Sequence, residues 1–170
     1  RFWATSVTAV VDGRPVGTAT HMPSERDTYT AGPESVCLDG TTLTVSDRSD
    51  PGTFAVALVG WWPTEGSART AALYRAAAET FGDVRRFGCM QGALALVAAG
   101  ALDAAFMPTR PHPWDSLGGV YMIRRAGGEA TGLDGSPWDR ESDGLVVSNG
   151  RAHDAVREAV AEAAMVDAAD

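Results

Sequence analysis

The sequence predicts an α/β fold in two unlike parts: an antiparallel β meander on the N-terminal side, then a sheet covered on both faces by helices. Three observations carry this reading. In residues 2–45 short β-branched runs alternate with Asp-Gly turn pairs; a polar stretch with Pro and Gly follows at 46–52; beyond it, apolar strands alternate with segments of helical length.

In the first part, Asp12-Gly13 separates strands at 3–11 and 16–21, and Asp39-Gly40 separates strands at 35–38 and 41–45. Asp-Gly between extended runs is a hairpin signal, because a tight two-residue turn needs left-handed backbone. Ser46-Asp47-Arg48-Ser49-Asp50-Pro51-Gly52 is the most turn-rich stretch and the expected boundary, dividing residues 1–49 from 50–170. The continuous apolar run 54–59 predicts a buried strand, and 67–81 a helix with Ser67 at its N-cap. A short strand is expected at 84–87, a helix at 90–99 ended by Gly100, and a strand at 102–107. A helix at 114–125, a strand at 144–148 and a C-terminal Ala-rich helix at 152–165 complete the pattern.

A chain of 170 residues, 45% of them hydrophobic, can bury a substantial core and suits one domain or one and a half. Its net charge of -8, from 14 basic against 22 acidic side chains with no basic stripe, argues against a surface for nucleic acid polymers or anionic membranes. No apolar run approaches the ~18 residues needed to span a bilayer, so a cytoplasmic location is expected. Cys37 and Cys89 are far apart and lack metal-ligand spacing, which predicts reduced core thiols.

The chemistry concentrates in His112-Pro113-Trp114-Asp115, followed by Ser116-Leu117-Gly118-Gly119 and closed by Ala126-Gly127-Gly128. It places one carboxylate at a helix start, where backbone N–H groups also favour an anion, with Gly pairs where backbone must approach something closely. Asp115 has a second reading as a helix N-cap. Trp114 is expected in the core and His112 in a solvated loop. Arg85 and Arg86 read as a solvated strand end, with phosphate contact as the alternative. Asp47, Asp50, Asp134, Asp139 and Asp143 fall in turns, where Asp bonds to nearby backbone. Trp61-Trp62-Pro63 reads as core packing, with a partner surface as the alternative, and neither His21 nor His153 has a functional reading.

Taken in order, Tyr29-Thr30-Ala31, Leu38-Asp39-Gly40, Gly88-Cys89-Met90, Ala99-Gly100-Ala101-Leu102-Asp103-Ala104 and Trp114-Asp115 through Ala126-Gly127-Gly128 resemble the inositol monophosphatase family. The resemblance runs from Arg1 to about residue 160. It implies a layered α/β sandwich, an antiparallel sheet plus a mixed sheet flanked by helices, and a Mg²⁺-dependent phosphomonoesterase. In such an enzyme, metal ions bind the phosphate and activate water. By that resemblance Asp115 is a metal ligand, Gly88, Cys89 and Met90 lie against the alcohol portion of the substrate, and the loop 107–110 contributes a polar contact. Arg110 there favours a second negative group.

The departures bear on activity. The family's other metal ligands, a Glu on an early helix and a D-P-[IL]-D-G-T segment, would precede Arg1, as would the water-activating residues; no catalytic residue is identifiable among residues 1–170. The sequence opens at Arg1 in mid-strand without Met, so upstream sequence is expected. Arg125 stands where Glu is frequent and Leu117 where a small residue is common. The loop before Trp114 is one residue longer and lacks an acidic residue. Two readings remain: a metal-dependent phosphatase acting on a small phosphorylated polyol, sugar, nucleotide or amino alcohol, or a shortened non-hydrolytic relative serving as a ligand-binding, subunit or scaffold protein. Without upstream helices, one apolar face of the 2–45 meander is uncovered, which predicts dimerisation or aggregation, with a homodimer the expected partner state.

Overall fold

The computed structural model describes residues 2–59 and 67–164. The Trp61-Trp62-Pro63 segment lies outside the described residues. Strands β1 (Thr5–Val11), β2 (Arg14–Met22), β3 (Asp27–Ala31), β4 (Val36–Leu38) and β5 (Thr41–Thr42) form an antiparallel meander in sequence order. Both Asp-Gly pairs adopt the left-handed backbone that makes them hairpin turns: Asp12 and Gly13 have φ of 49° and 75°, Asp39 and Gly40 of 47° and 87°. The turns set the register, pairing Val11 with Arg14 and Leu38 with Thr41.

The second sheet holds β6 (Ala55–Leu58), β7 (Asp83–Arg85), β8 (Ala104–Met107), β9 (Glu129–Thr131) and β10 (Leu145–Ser148), in the order β7-β6-β8-β10-β9. It is mixed: β6 runs parallel to β7 and β8, whereas β10 is antiparallel to β8 and β9. Helices α1 (Ser67–Thr80) and α4 (His153–Ala164) cover one face of this sheet, and α2 (Met90–Ala98) and α3 (Pro113–Arg125) lie between it and the meander. The layered α/β sandwich expected from the sequence is the observed architecture.

Two cores follow from these layers. One joins Met22, Tyr29 and Val36 of the meander to Leu94 and Val97 of α2, Val120 and Ile123 of α3, and Ala105 and Val147 of the mixed sheet. The other packs Phe54, Val56, Phe106 and Val146 against Leu73 and Phe81 on the α1 side and Val156 and Val160 of α4. Continuous apolar strands such as β6 and β10 are buried on both faces, which is why they show no alternation.

Differences from the expected elements are local. The strand expected at 41–45 is only Thr41–Thr42; beyond it the Val45 N–H donates to the Ala126 carbonyl at the end of α3 rather than to a neighbouring strand. The first strand begins at Thr5, leaving Trp3 free to face elsewhere. Strand β9 was not anticipated: three residues between two turns give no periodicity to read.

The glycines of α3 set its position. A Cβ on Gly118 would lie 2.6 Å from both the Thr8 and Thr18 hydroxyl oxygens, and one on Gly119 2.4 Å from the Leu94 Cβ. Gly118 therefore seats α3 on the meander and Gly119 seats it on α2. Gly128, whose Cβ would come 2.5 Å from the Ser148 carbonyl oxygen, presses the strand after α3 onto β10.

Asp103, with no solvent exposure, fixes the segment that crosses between the sheets. Its carboxylate accepts hydrogen bonds from the Ser46 hydroxyl (2.5 Å), the Arg48 guanidinium (2.9 Å) and the Ala55 N–H (2.7 Å). The Asn149 side chain donates to the Ser46 hydroxyl and the Arg48 carbonyl, closing the network. A buried carboxylate is tolerable when its lone pairs are taken in this way.

Candidate active site

Both central helices begin at one cavity of about 500 Å³. Gly88, Cys89, Met90 and Gln91 enter it from the start of α2, His112 and Asp115 from the start of α3, and Met107, Thr109 and Arg110 from the end of β8 and the loop beyond; Trp3 and Ala4 complete the wall. Gly88 adopts φ of 71°, a left-handed turn that delivers the chain into α2. Gly88, Cys89, Met90, Arg110 and Asp115, assigned to substrate or metal by the resemblance, all line this cavity, whereas Arg85 and Arg86, the alternative phosphate contacts, do not. Two helix N-termini opening on one space concentrate unpaired N–H groups and partial positive charge there, an environment that favours an anion.

Asp115 sits in the first turn of α3, not at its cap, which is His112. The N-cap reading of Asp115 is thereby corrected: Pro113 initiates the helix and puts Asp115 three positions past the cap. Instead its Oδ1 accepts a hydrogen bond from Gln91 Nε2 at 2.9 Å, across from α2. Cys89, the N-cap residue of α2, makes no capping bond through its side chain; its Sγ lies 3.7 Å from Gln91 Oε1 and donates to it.

Trp114 is 71% exposed, contrary to the expected core position. The buried residues of α3 are Ser116, Gly118, Gly119, Val120, Met122 and Ile123, and Trp114 lies in the first turn, ahead of that packed stretch. Its indole stacks on the His112 ring, with centroids 4.5 Å apart and planes 11° off parallel. His112 is exposed as expected but borders the cavity. Both thiols are free, as expected, but only partly buried, and Cys89 faces the cavity rather than the core.

Arg110 donates from its two terminal nitrogens to Glu141 and Asp143, each at 3.2 Å, and both acids are largely exposed. Solvated pairs of this kind are weak, so the guanidinium is held at the wall without being locked there. Arg85 pairs with Asp83 at an exposed strand end. His153, given no functional reading, is a buried link between β9 and β10: its Nε2 is 2.8 Å from the Thr131 hydroxyl and its Nδ1 2.8 Å from that of Ser148.

Gln91 was the residue missed. Its signal was present, since it is the only polar side chain in Met-Gln-Gly-Ala-Leu-Ala-Leu-Val-Ala, a helix otherwise fit for the core. Asp115 is the one carboxylate among the described residues that line the cavity, and no group of three or more His, Cys, Asp or Glu side chains among the described residues is spaced to hold a metal ion. A hard divalent cation takes about six oxygens. One carboxylate, with an oxygen already engaged by Gln91, does not make that shell.

A model of the inositol monophosphatase family matches residues 1–165. The chain is 38% identical over 77 residues to inositol-1-monophosphatase ImpA of Mycolicibacterium smegmatis, covering 45% of this chain and 28% of that protein. It is 37% identical over 68 residues to a fructose-1,6-bisphosphatase/inositol-1-monophosphatase of Thermotoga maritima, covering 40% of this chain and 26% of that protein. Among solved structures, an inositol monophosphatase from Anabaena superimposes with a TM-score of 0.85 at 22% identity, over 94% of this chain and 64% of that one. The chain thus spans under a third of these two curated relatives in its aligned part and under two thirds of the solved structure.

Proposed function

The chain belongs to the inositol monophosphatase family, and we propose that it carries the substrate side of a cytoplasmic phosphomonoesterase acting on a small phosphorylated polyol, sugar, nucleotide or amino alcohol. The observation that supports this most is the convergence of the α2 and α3 N-termini, Arg110 and Asp115 on one cavity large enough for such a molecule. In this reading the phosphate lies near the two helix ends, whose N–H groups and dipoles complement its charge. The alcohol portion rests against Gly88, Cys89 and Met90. A second anionic group on the substrate draws Arg110 from its exposed partners Glu141 and Asp143.

Mg²⁺ is the proposed cofactor, with Asp115 as one ligand and the other ligands outside the described residues. When bound, such an ion neutralises phosphate charge and lowers the pKa of its water. A homodimer, held by the exposed valines of the β1–β2 hairpin, is part of the same proposal.

That Asp115 is the one carboxylate among the described residues lining the cavity favours one rival, a shortened non-hydrolytic family member that binds the phosphorylated ligand. The discriminating experiment is phosphate release from a panel of phosphate esters by the full natural protein, with and without Mg²⁺. Metal-dependent release that Asp115→Asn lowers by a factor of a hundred or more supports the phosphatase, on the scale of losing a transition-state contact. Ligand binding with no release under any condition supports the rival.

A further inference from the structure

We propose that Gln91 is a positioning residue that fixes the Asp115 carboxylate, with the Cys89 thiol donating to the other end of its amide. A carboxylate only accepts hydrogen bonds, so the Gln91 atom 2.9 Å from Asp115 Oδ1 is the amide nitrogen. That assignment turns the amide oxygen toward Cys89, where the thiol donates to it at 3.7 Å. The three side chains form one directed chain along the cavity wall, from thiol to amide to carboxylate. Gln91 is the only polar side chain of α2, and the thiol at the head of that helix caps nothing.

The consequence is geometric. An Asp carboxylate at a helix start turns freely about its terminal bond, which has a broad two-fold profile. With Oδ1 held by Gln91, that rotation is stopped and Oδ2 is left as the oxygen available for other contacts. The spacing between α2 and α3 is in turn fixed by the Gly119–Leu94 contact, so the donor and acceptor are presented by two helices that cannot drift apart independently. Holding a charged group in one orientation before the substrate arrives lowers the cost of reaching the reactive geometry.

This inference rests on the phosphatase reading of the cavity, and its test separates the two. In the full natural protein, Gln91→Met keeps the length and helix propensity of the side chain but removes the donor. It is expected to lower kcat about tenfold while KM for the best phosphate ester stays within about twofold, with an unchanged unfolding midpoint. Gln91→Glu, which puts a second carboxylate against Asp115, is expected to lower kcat at least as far. It serves as the working variant should Gln91→Met not fold. A readout independent of turnover is the Gln91 side-chain amide signal in ¹H–¹⁵N spectra, expected to shift in Asp115→Asn. Folded Gln91→Met and Gln91→Glu proteins with wild-type kcat, or an amide signal indifferent to Asp115→Asn, would overturn the positioning role. Release untouched by Asp115→Asn would instead overturn the reading of the site itself.

Discussion

Gly119 and Leu94 are packed so closely that α2 and α3 meet backbone to side chain, with no room for a methyl group between them: a Cβ on Gly119 would stand 2.4 Å from the Leu94 Cβ. Gly119→Ala sets two effects against each other. Alanine gains about 1 kcal/mol of helix propensity over glycine. Overpacking a tight contact costs about 1–3 kcal/mol, and here the obstacle is the root of the Leu94 side chain, which no rotamer moves away. The overlap wins, and urea unfolding is expected to show net destabilisation. The double variant Gly119→Ala with Leu94→Ala should lose less than the sum of the singles, because the second change removes the obstacle. A Gly119→Ala protein as stable as the parent would mean that the helices are free to separate.

Asp103 holds three donors from the segment that crosses between sheets. Asp103→Ala strands the Ala55 N–H and the Ser46 hydroxyl and leaves Arg48 without its partner. Leaving such groups unpaired costs on the order of 3 kcal/mol. Asp103→Asn keeps the shape and acceptance at one oxygen and should cost less. Chemical denaturation of the two variants gives the ranking; equal losses would argue that size, not hydrogen bonding, is what Asp103 supplies.

His153 predicts a pH dependence. Burial holds its imidazole below the ordinary value of 6.5, outweighing the opposing pull of Glu129 and Asp154, while Arg157 adds to the lowering. In the unfolded chain the ring titrates near its ordinary value, so below about pH 6.5 the unfolded state binds more protons than the folded one. The contribution of the neutral ring to stability is therefore complete above pH 6.5 and is lost as the pH falls toward the lowered folded value. Thermal unfolding between pH 8 and pH 5 should show a falling midpoint. His153→Gln, which keeps a donor and an acceptor for Thr131 and Ser148, should flatten that fall relative to the parent. An unchanged slope would remove His153 as its source.

The sequence was most legible where the cause was local. Asp12-Gly13 and Asp39-Gly40 are turns because of their own backbone preferences, and nothing distant could change that. Gly118 and Gly119 announced close approach, but not to what: Thr8 and Thr18 lie about a hundred residues away along the chain. Trp114 was misplaced because an apolar side chain in an amphipathic segment reads as core, whereas the packed part of α3 begins only at Ser116, after its first turn. The bond from Gln91 to Asp115 spans 24 residues, and Arg110 meets Glu141 and Asp143 across 31 and 33. Those pairings are products of how α2, α3 and the second sheet pack, so motif spacing identified the cavity's residues without their partners.

The hairpin β1–β2 carries its apolar residues outward. Ser6 and Thr8 face the meander's interior and bond to Thr20 and Thr18, while Val7 is 68% exposed and Val11 56%, with Val10 and Val16 also in solvent. One exposed valine is unremarkable in a soluble protein. Four on one hairpin, whose first strand is a sheet edge interrupted only by an irregularity at Ala9 and Val10, form a surface that favours pairing with another chain. The occupant we expect is a second copy of this chain. Sedimentation velocity across a hundredfold range of concentration should show a dimer. Val7→Lys with Val11→Lys, which adds like charges to that edge without touching either core, should shift it to monomer at an unchanged unfolding midpoint. A parent protein that sediments as a monomer throughout would mean that the valines are not an interface between copies.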